Sequence, residues 1–149
     1  MVIARPIALD ASILLRALFD RRIIELIIRY GTEVSFAAPA IAFAEVRRGI
    51  PVLSKRNKDL PNMSRCFEEL GTLVGEVPMD LLTPHKQSSI ARTGVRYSIG
   101  WPMVACALVL ECPIWTEDQD LFGIGIPTWT TDRVSIYLRG DSRGTTFPA

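Results

Sequence analysis

The run Pro113-Ile114-Trp115-Thr116-Glu117-Asp118-Gln119-Asp120-Leu121-Phe122-Gly123 constrains this chain most. It opens as a short apolar strand, Ile114-Trp115, with Pro113 as the first residue, where a missing N–H is tolerated. A hydroxyl and three carboxylates then arrive within five residues. Leu121 and Phe122 return the chain to the core, and Gly123 and Gly125 mark a loop. Buried parallel strands place ligand sites just beyond their carboxyl ends. Carboxylates gathered there from several strand ends make a site for a hard cation. The plainer reading is a polar turn after a strand, where Asp is common. The rest of the chain decides between the two.

Pro6 to Leu9 forms another short apolar strand, ending at Asp10. Asp10 thus stands just before a helix N-terminus, where free N–H groups and the helix dipole favour an anion. Ser12 can cap the helix that begins Ile13-Leu14-Leu15, although Asp in such a strand-to-helix turn often simply caps as well. Asp20 to Tyr30 reads as a second helix, closed by Gly31. Its apolar stripe, Ile23, Ile24, Leu26, Ile27 and Ile28, is broader than one core-facing side needs. Part of it faces either another subunit or further cover within the domain. Val34 to Ala38 is a second strand, and Pro39 opens a helix through about Arg48. Glu45 is a lone carboxylate amid Ile41, Ala42, Phe43, Ala44 and Val46. It needs a metal, an Arg or solvent at an edge as its partner. Arg47, Arg48, Lys55, Arg56 and Lys58 follow, with Gly49 and Pro51 expected to bend the chain. This basic run suits a phosphate backbone or an ordinary solvated face.

Asp59 to Leu73 predicts another helix, ended by Gly71 and Gly75, and Val74 to Val77 a weak strand. Pro84 to Thr93 predicts a helix followed by Gly94, with the lone His85 a surface residue at its start. Pro102 to Leu110 is the most apolar helix and is expected to be the central buried one. It leads through Glu111-Cys112 into the acidic run. Pro127 to Thr130 gives a last strand, and Asp132 is placed to cap a short helix through Tyr137. The expectation is one domain over residues 1–138 and a flexible tail over 139–149. Alternating short strands and helices predict an α/β fold with a mainly parallel sheet.

Composition narrows the function. The chain's 149 residues fit one domain, and 48% hydrophobic residues suffice for its core. No apolar run reaches the ~18 residues of a membrane helix. With Asp10 interrupting it early, the N-terminal stretch is not expected to act as a signal sequence. Three cysteines, Cys66, Cys106 and Cys112, lack CxxC spacing. They read as thiols in a reducing cytoplasm, not as zinc ligands or a disulfide framework. A net charge of +1 neither supports nor excludes RNA. GxGxxG, P-loop, GxSxG and HExxH motifs are all missing, so nucleotide-cofactor and serine-hydrolase chemistry lack their parts. Asp10, Glu45, Asp118 and Asp120 remain.

Three motifs now stand in order: Ala8-Leu9-Asp10-Ala11-Ser12, then Ala38-Pro39-Ala40-Ile41-Ala42-Phe43-Ala44-Glu45-Val46, then Trp101-Pro102 leading by a helix to Ile114-Trp115-Thr116-Glu117-Asp118-Gln119-Asp120-Leu121-Phe122. In this order and spacing the chain resembles PIN-domain ribonucleases of the type found as VapC toxins in bacterial toxin–antitoxin pairs. The resemblance runs over about residues 5 to 137. It implies a three-layer PIN-like fold with a short, mainly parallel central sheet flanked by helices. It implies Mg²⁺ or Mn²⁺ held by Asp10, Glu45 and Asp118, with Asp120 as a further ligand or an outlying acid. Thr116 and Ser12 would orient these acids or a metal-bound water. The implied partners are an RNA substrate, a small antitoxin protein and a second copy of the chain.

One position departs from that pattern. The family usually places another acid immediately before the Trp-Pro pair, and here Gly100 stands there. No Asp or Glu lies between Asp80 and Glu111 to replace it. One carboxylate fewer weakens metal affinity and makes a two-metal arrangement harder to build. The alternative reading is therefore a PIN fold that binds RNA or protein through a degenerate acidic site and cuts nothing.

Overall fold

The structure, a computed structural model, describes residues 4–57, 60–94 and 99–140. Residues 141–149 of the expected tail and Lys58 of the basic run lie outside the described residues. Five short apolar runs pair in parallel: β1 (Arg5–Leu9), β2 (Val34–Pro39), β3 (Gly75–Val77), β4 (Ile114–Trp115) and β5 (Thr128–Trp129), in the order β3-β2-β1-β4-β5. The expected α/β fold with a mainly parallel sheet is observed. The first strand is central. The chain builds outward to β3 on one side and returns to build β4 and β5 on the other. Strand order therefore reverses between β1 and β4, which is where ligands enter open α/β sheets.

Side chains alternate across the sheet with the two-residue period of a strand. Ile7, Leu9, Phe36, Ala38 and Trp115 point into one core. That core is closed by α1 (Ala11–Ala17), α2 (Arg21–Tyr30), α3 (Ala40–Asn57), α4 (Leu60–Leu73) and α8 (Val134–Leu138). Ala8, Ala37 and Ile114 point the other way, into a second core with α5 (Met79–Leu82) and α7 (Trp101–Leu110). A 3-10 turn (Thr83–His85) and α6 (Lys86–Thr93) link those two helices. The alanines of β1 and β2 leave room for α7, whose residues Pro102 to Ala107 are all buried. It is the central buried helix that its composition predicts. Arg5 ties β1 to α8. Its guanidinium donates to the carbonyls of Tyr137 (2.6 Å) and Leu138 (3.0 Å), while the Tyr137 hydroxyl donates to the Pro6 carbonyl.

Four local expectations are settled or corrected. First, Asp10 caps α1 in place of Ser12, accepting from the Ile13 N–H at 3.2 Å. Second, α3 does not stop near Arg48. It continues through Gly49 and Pro51 to Asn57, because Val46 and Ile50 are buried in the core and that packing outweighs local helix breaking. Third, Gly71 lies within α4. Fourth, Arg133 precedes α8 without a side-chain cap, and Asp132 accepts instead from the Thr130 hydroxyl. The broad stripe of α2 is mostly used within the chain: Ile23, Ile24 and Ile27 are buried, and Ile28 is exposed. His85 is exposed, as expected. Burial pushes the Cys106 thiol up to about 12 and raises Cys112 as well, so both behave as core residues. Among the described residues no helix is long and apolar enough to cross a membrane.

The left-handed region is reached by one described non-glycine residue, Glu111 (φ 49°), where α7 ends and the chain turns into β4. Glycine is free of the Cβ penalty there. Glu111→Gly is expected to raise unfolding free energy by about 1 kcal/mol in denaturant titration. A loss of stability would show that the Glu111 side chain contributes more than its backbone geometry costs.

Candidate active site

The β1–β4 register builds the centre. Ala8 pairs with Ile114 and Leu9 with Trp115, so the next residues out, Asp10 and Thr116, emerge side by side. The Asp10 N–H bonds the Trp115 carbonyl, and the Thr116 N–H bonds the Trp129 carbonyl. Both strand ends are thereby held in place by the sheet. Thr116 is fully buried, and its hydroxyl faces two acids. It donates to Asp10 Oδ2 and accepts the Asp118 N–H at 2.9 Å. Ser12 donates to Asp10 Oδ1 at 2.5 Å. With the Ile13 N–H, the Asp10 carboxylate has three donors and one fixed orientation.

Asp118 starts a 3-10 turn (Gln119–Leu121), and its carboxylate accepts the Asp120 N–H at 3.0 Å. Asp10, Ser12, Glu45, Gly100 and Asp118 all line one cleft of about 260 Å³, walled by Ile41, Pro102 and Met103. Glu45 is exposed on α3, so solvent at the cleft edge is the partner its sequence position required. Asp120 is exposed and lies outside the cleft lining; its contact with the centre is the backbone bond to Asp118. Gly100 sits at the start of α7, whose first turn carries no acid. Its φ of −81° is open to any residue, so backbone geometry does not require glycine there.

Glu117 is the contributor that the sequence did not single out. Its N–H donates to Ser12 Oγ at 3.4 Å. Its carboxylate accepts the Thr131 N–H at 2.8 Å and pairs with Arg16 at 3.3 Å. It thus braces α1 and the end of β5 against the acidic turn. The only sequence signal was its place among the three clustered acids, because its partners lie far off in the chain.

The electrostatics suit a cation. Burial raises the Asp10 carboxyl above its ordinary 3.8; bonds from Ser12, Thr116 and Ile13 pull it back, and the charge of Asp118 raises it. Among the described residues no three His, Cys, Asp or Glu side chains are grouped closely enough to hold a metal ion. The carboxylates that could hold a cation in the cleft are Asp10 and Asp118, with Glu45 on the same wall. That set fits a hard divalent cation that keeps several waters and takes substrate phosphate oxygens to complete its shell.

Because the folded value of Asp10 is raised, its protonated form favours folding. This contribution is complete below 3.8 and is lost as pH rises through the folded value. Metal-free Asp10→Asn is therefore expected to melt higher than the natural chain at pH 7. The difference should close as pH falls toward 3.8. Thermal melts in EDTA across that range check it, and a variant less stable at pH 7 would refute it.

No curated protein matches the chain. The family model described as PIN domain matches residues 8–139. That span runs from β1 through α8 and takes in the whole acidic cleft, and the chain belongs to the PIN domain family.

Proposed function

We propose that the chain is an Mg²⁺- or Mn²⁺-dependent endoribonuclease resembling the toxin of a type II toxin–antitoxin system. PIN domains are in general metal-dependent nucleases, which gives the coarse activity. The observation that carries the finer reading is the buried Thr116 hydroxyl joining Asp10 to Asp118 at the switch point of the sheet. Burial disfavours the ionised form of Asp10, and a cation bound beside it would favour that form. When bound, the metal supplies an activated water and stabilises charge on the phosphate being cut.

The protein's own residues do the rest. Asp10 and Asp118 hold the cation. Ser12 and Thr116 keep Asp10 from rotating, so its geometry is set before substrate arrives. Glu45 orients water or a ligand at the open edge of the cleft. Asp120 serves as an outlying acid beside Asp118. A small antitoxin silences the chain by covering the cleft, and the exposed Ile28 of α2 marks a side where a second copy packs.

Gly100 favours a second reading, a PIN fold that binds RNA or protein through a weakened acidic site without cutting. One assay separates the two. A labelled oligoribonucleotide is incubated with Mn²⁺ or Mg²⁺ and resolved by gel. Cleavage is expected, with Asp118→Asn slowing it roughly 100-fold or more. Cleavage that survives Asp118→Asn would reject the assigned roles, and RNA binding without any cleavage would move the assignment to the binding module.

A further inference from the structure

The basic run on α3 has no role in the centre described above. Among the described residues, several other arginines are already engaged. Arg16, Arg21 and Arg22 pair with Glu117, Glu69 and Asp20. Arg47 lies over the Phe67 ring on the opposite side of α3. Arg48, Lys55 and Arg56 are exposed and make no ion pair with a described residue. Even Glu45, three residues from Arg48, does not pair with it.

Helical spacing puts these cations on one face with the site. Ile41 and Glu45 line the cleft. Glu45, Gly49, Val52 and Arg56 follow at intervals of three or four residues, so they form one row. Arg48 and Lys55 flank that row. From Glu45 to Arg56 the row spans roughly 17 Å. An apolar groove of about 420 Å³ runs beside it between α1 and α3, lined by Leu15, Val46, Gly49, Val52 and Leu53. The groove shares Ala11, Ser12 and Glu45 with the cleft, so the two are continuous.

We propose that this face of α3 is the track along which an RNA strand reaches the cleft, its phosphates on Arg48, Lys55 and Arg56 and its bases against the apolar groove. The proposal rests on the ribonuclease reading for its ligand. Charge complementarity selects the occupant. Exposed cations that pair with no described residue, beside an apolar groove, match a chain that alternates phosphates with bases. The track also offsets a difficulty of the centre, whose acids repel a polyanion until a cation is bound.

The test reads binding separately from cutting. A fluorescent single-stranded oligoribonucleotide is titrated in EDTA, at several salt concentrations, with the natural chain and with Arg48→Gln/Lys55→Gln/Arg56→Gln. Arg21→Gln/Arg22→Gln on α2 is the charge control, and melting curves confirm that all are folded. The track predicts about tenfold weaker binding for the triple variant and a log–log salt slope shallower by about 2, with the control near the natural chain. Equal affinity and slope in natural and triple chains would overturn the track even if Mn²⁺-dependent cleavage is present. An equal loss in the control would overturn it too, as would no binding by the natural chain. Poly-glutamate bound with the same dependence on the three residues would reject RNA as the occupant. Binding lost in the triple variant, with no cleavage by the natural chain, would keep the track and remove the nuclease.

Discussion

The structure turns on one hydroxyl. Thr116 is buried at the end of β4, donates to Asp10 and accepts from the backbone of Asp118. Without the β1–β4 register its two partners, over a hundred residues apart in sequence, would not meet. The rest of the fold sets that register. Alanines on one side of the sheet admit α7, and Ile7, Leu9, Phe36 and Trp115 on the other pack beneath α1 to α4. Burial of Asp10, with the charge of Asp118 adding to it, makes the ionised carboxylate oppose folding, so its presence at a strand-order reversal is informative.

Much of the architecture was legible in the sequence because it follows from periodicity. Short apolar runs alternating with helical spacing give a parallel sheet. The run from Met103 to Leu110, apolar at every position, gives the buried helix. Local chemistry was less legible where two groups compete. Asp10 and Ser12 are both good helix caps. Asp10 takes the role because its carboxylate reaches the Ile13 N–H, while Ser12 turns its proton onto Asp10. Gly49 and Pro51 disfavour helix locally, yet Val46 and Ile50 on the same helix are buried and carry α3 past them. Propensity is a weak prior against that much packing.

The candidate site divides in the same way. Asp10 and Asp118 could be placed from the rule that ligands gather at strand ends. Glu45 could be placed from its isolation among apolar neighbours. All three line one cleft, whereas Asp120 lies outside it. The brace through Glu117, Arg16 and Thr131 had no local signature, since it depends on how the ends of β4 and β5 and the helix α1 come together. Gly100 was visible as a departure from the family pattern. Gly100 lines the same cleft as Asp10, Glu45 and Asp118, so an acid at this position would stand on the cleft wall.

The central claim is that Asp10 and Asp118 form a cation site that tolerates Gly100. Calorimetric titration of Mn²⁺ into the natural chain, with Asp10→Asn and Gly100→Asp alongside, tests it most directly. The account predicts saturable binding to the natural chain, loss of binding in Asp10→Asn, and tighter binding in Gly100→Asp. Binding absent from the natural chain and restored only by Gly100→Asp would contradict it, and so would binding that Asp10→Asn leaves unchanged.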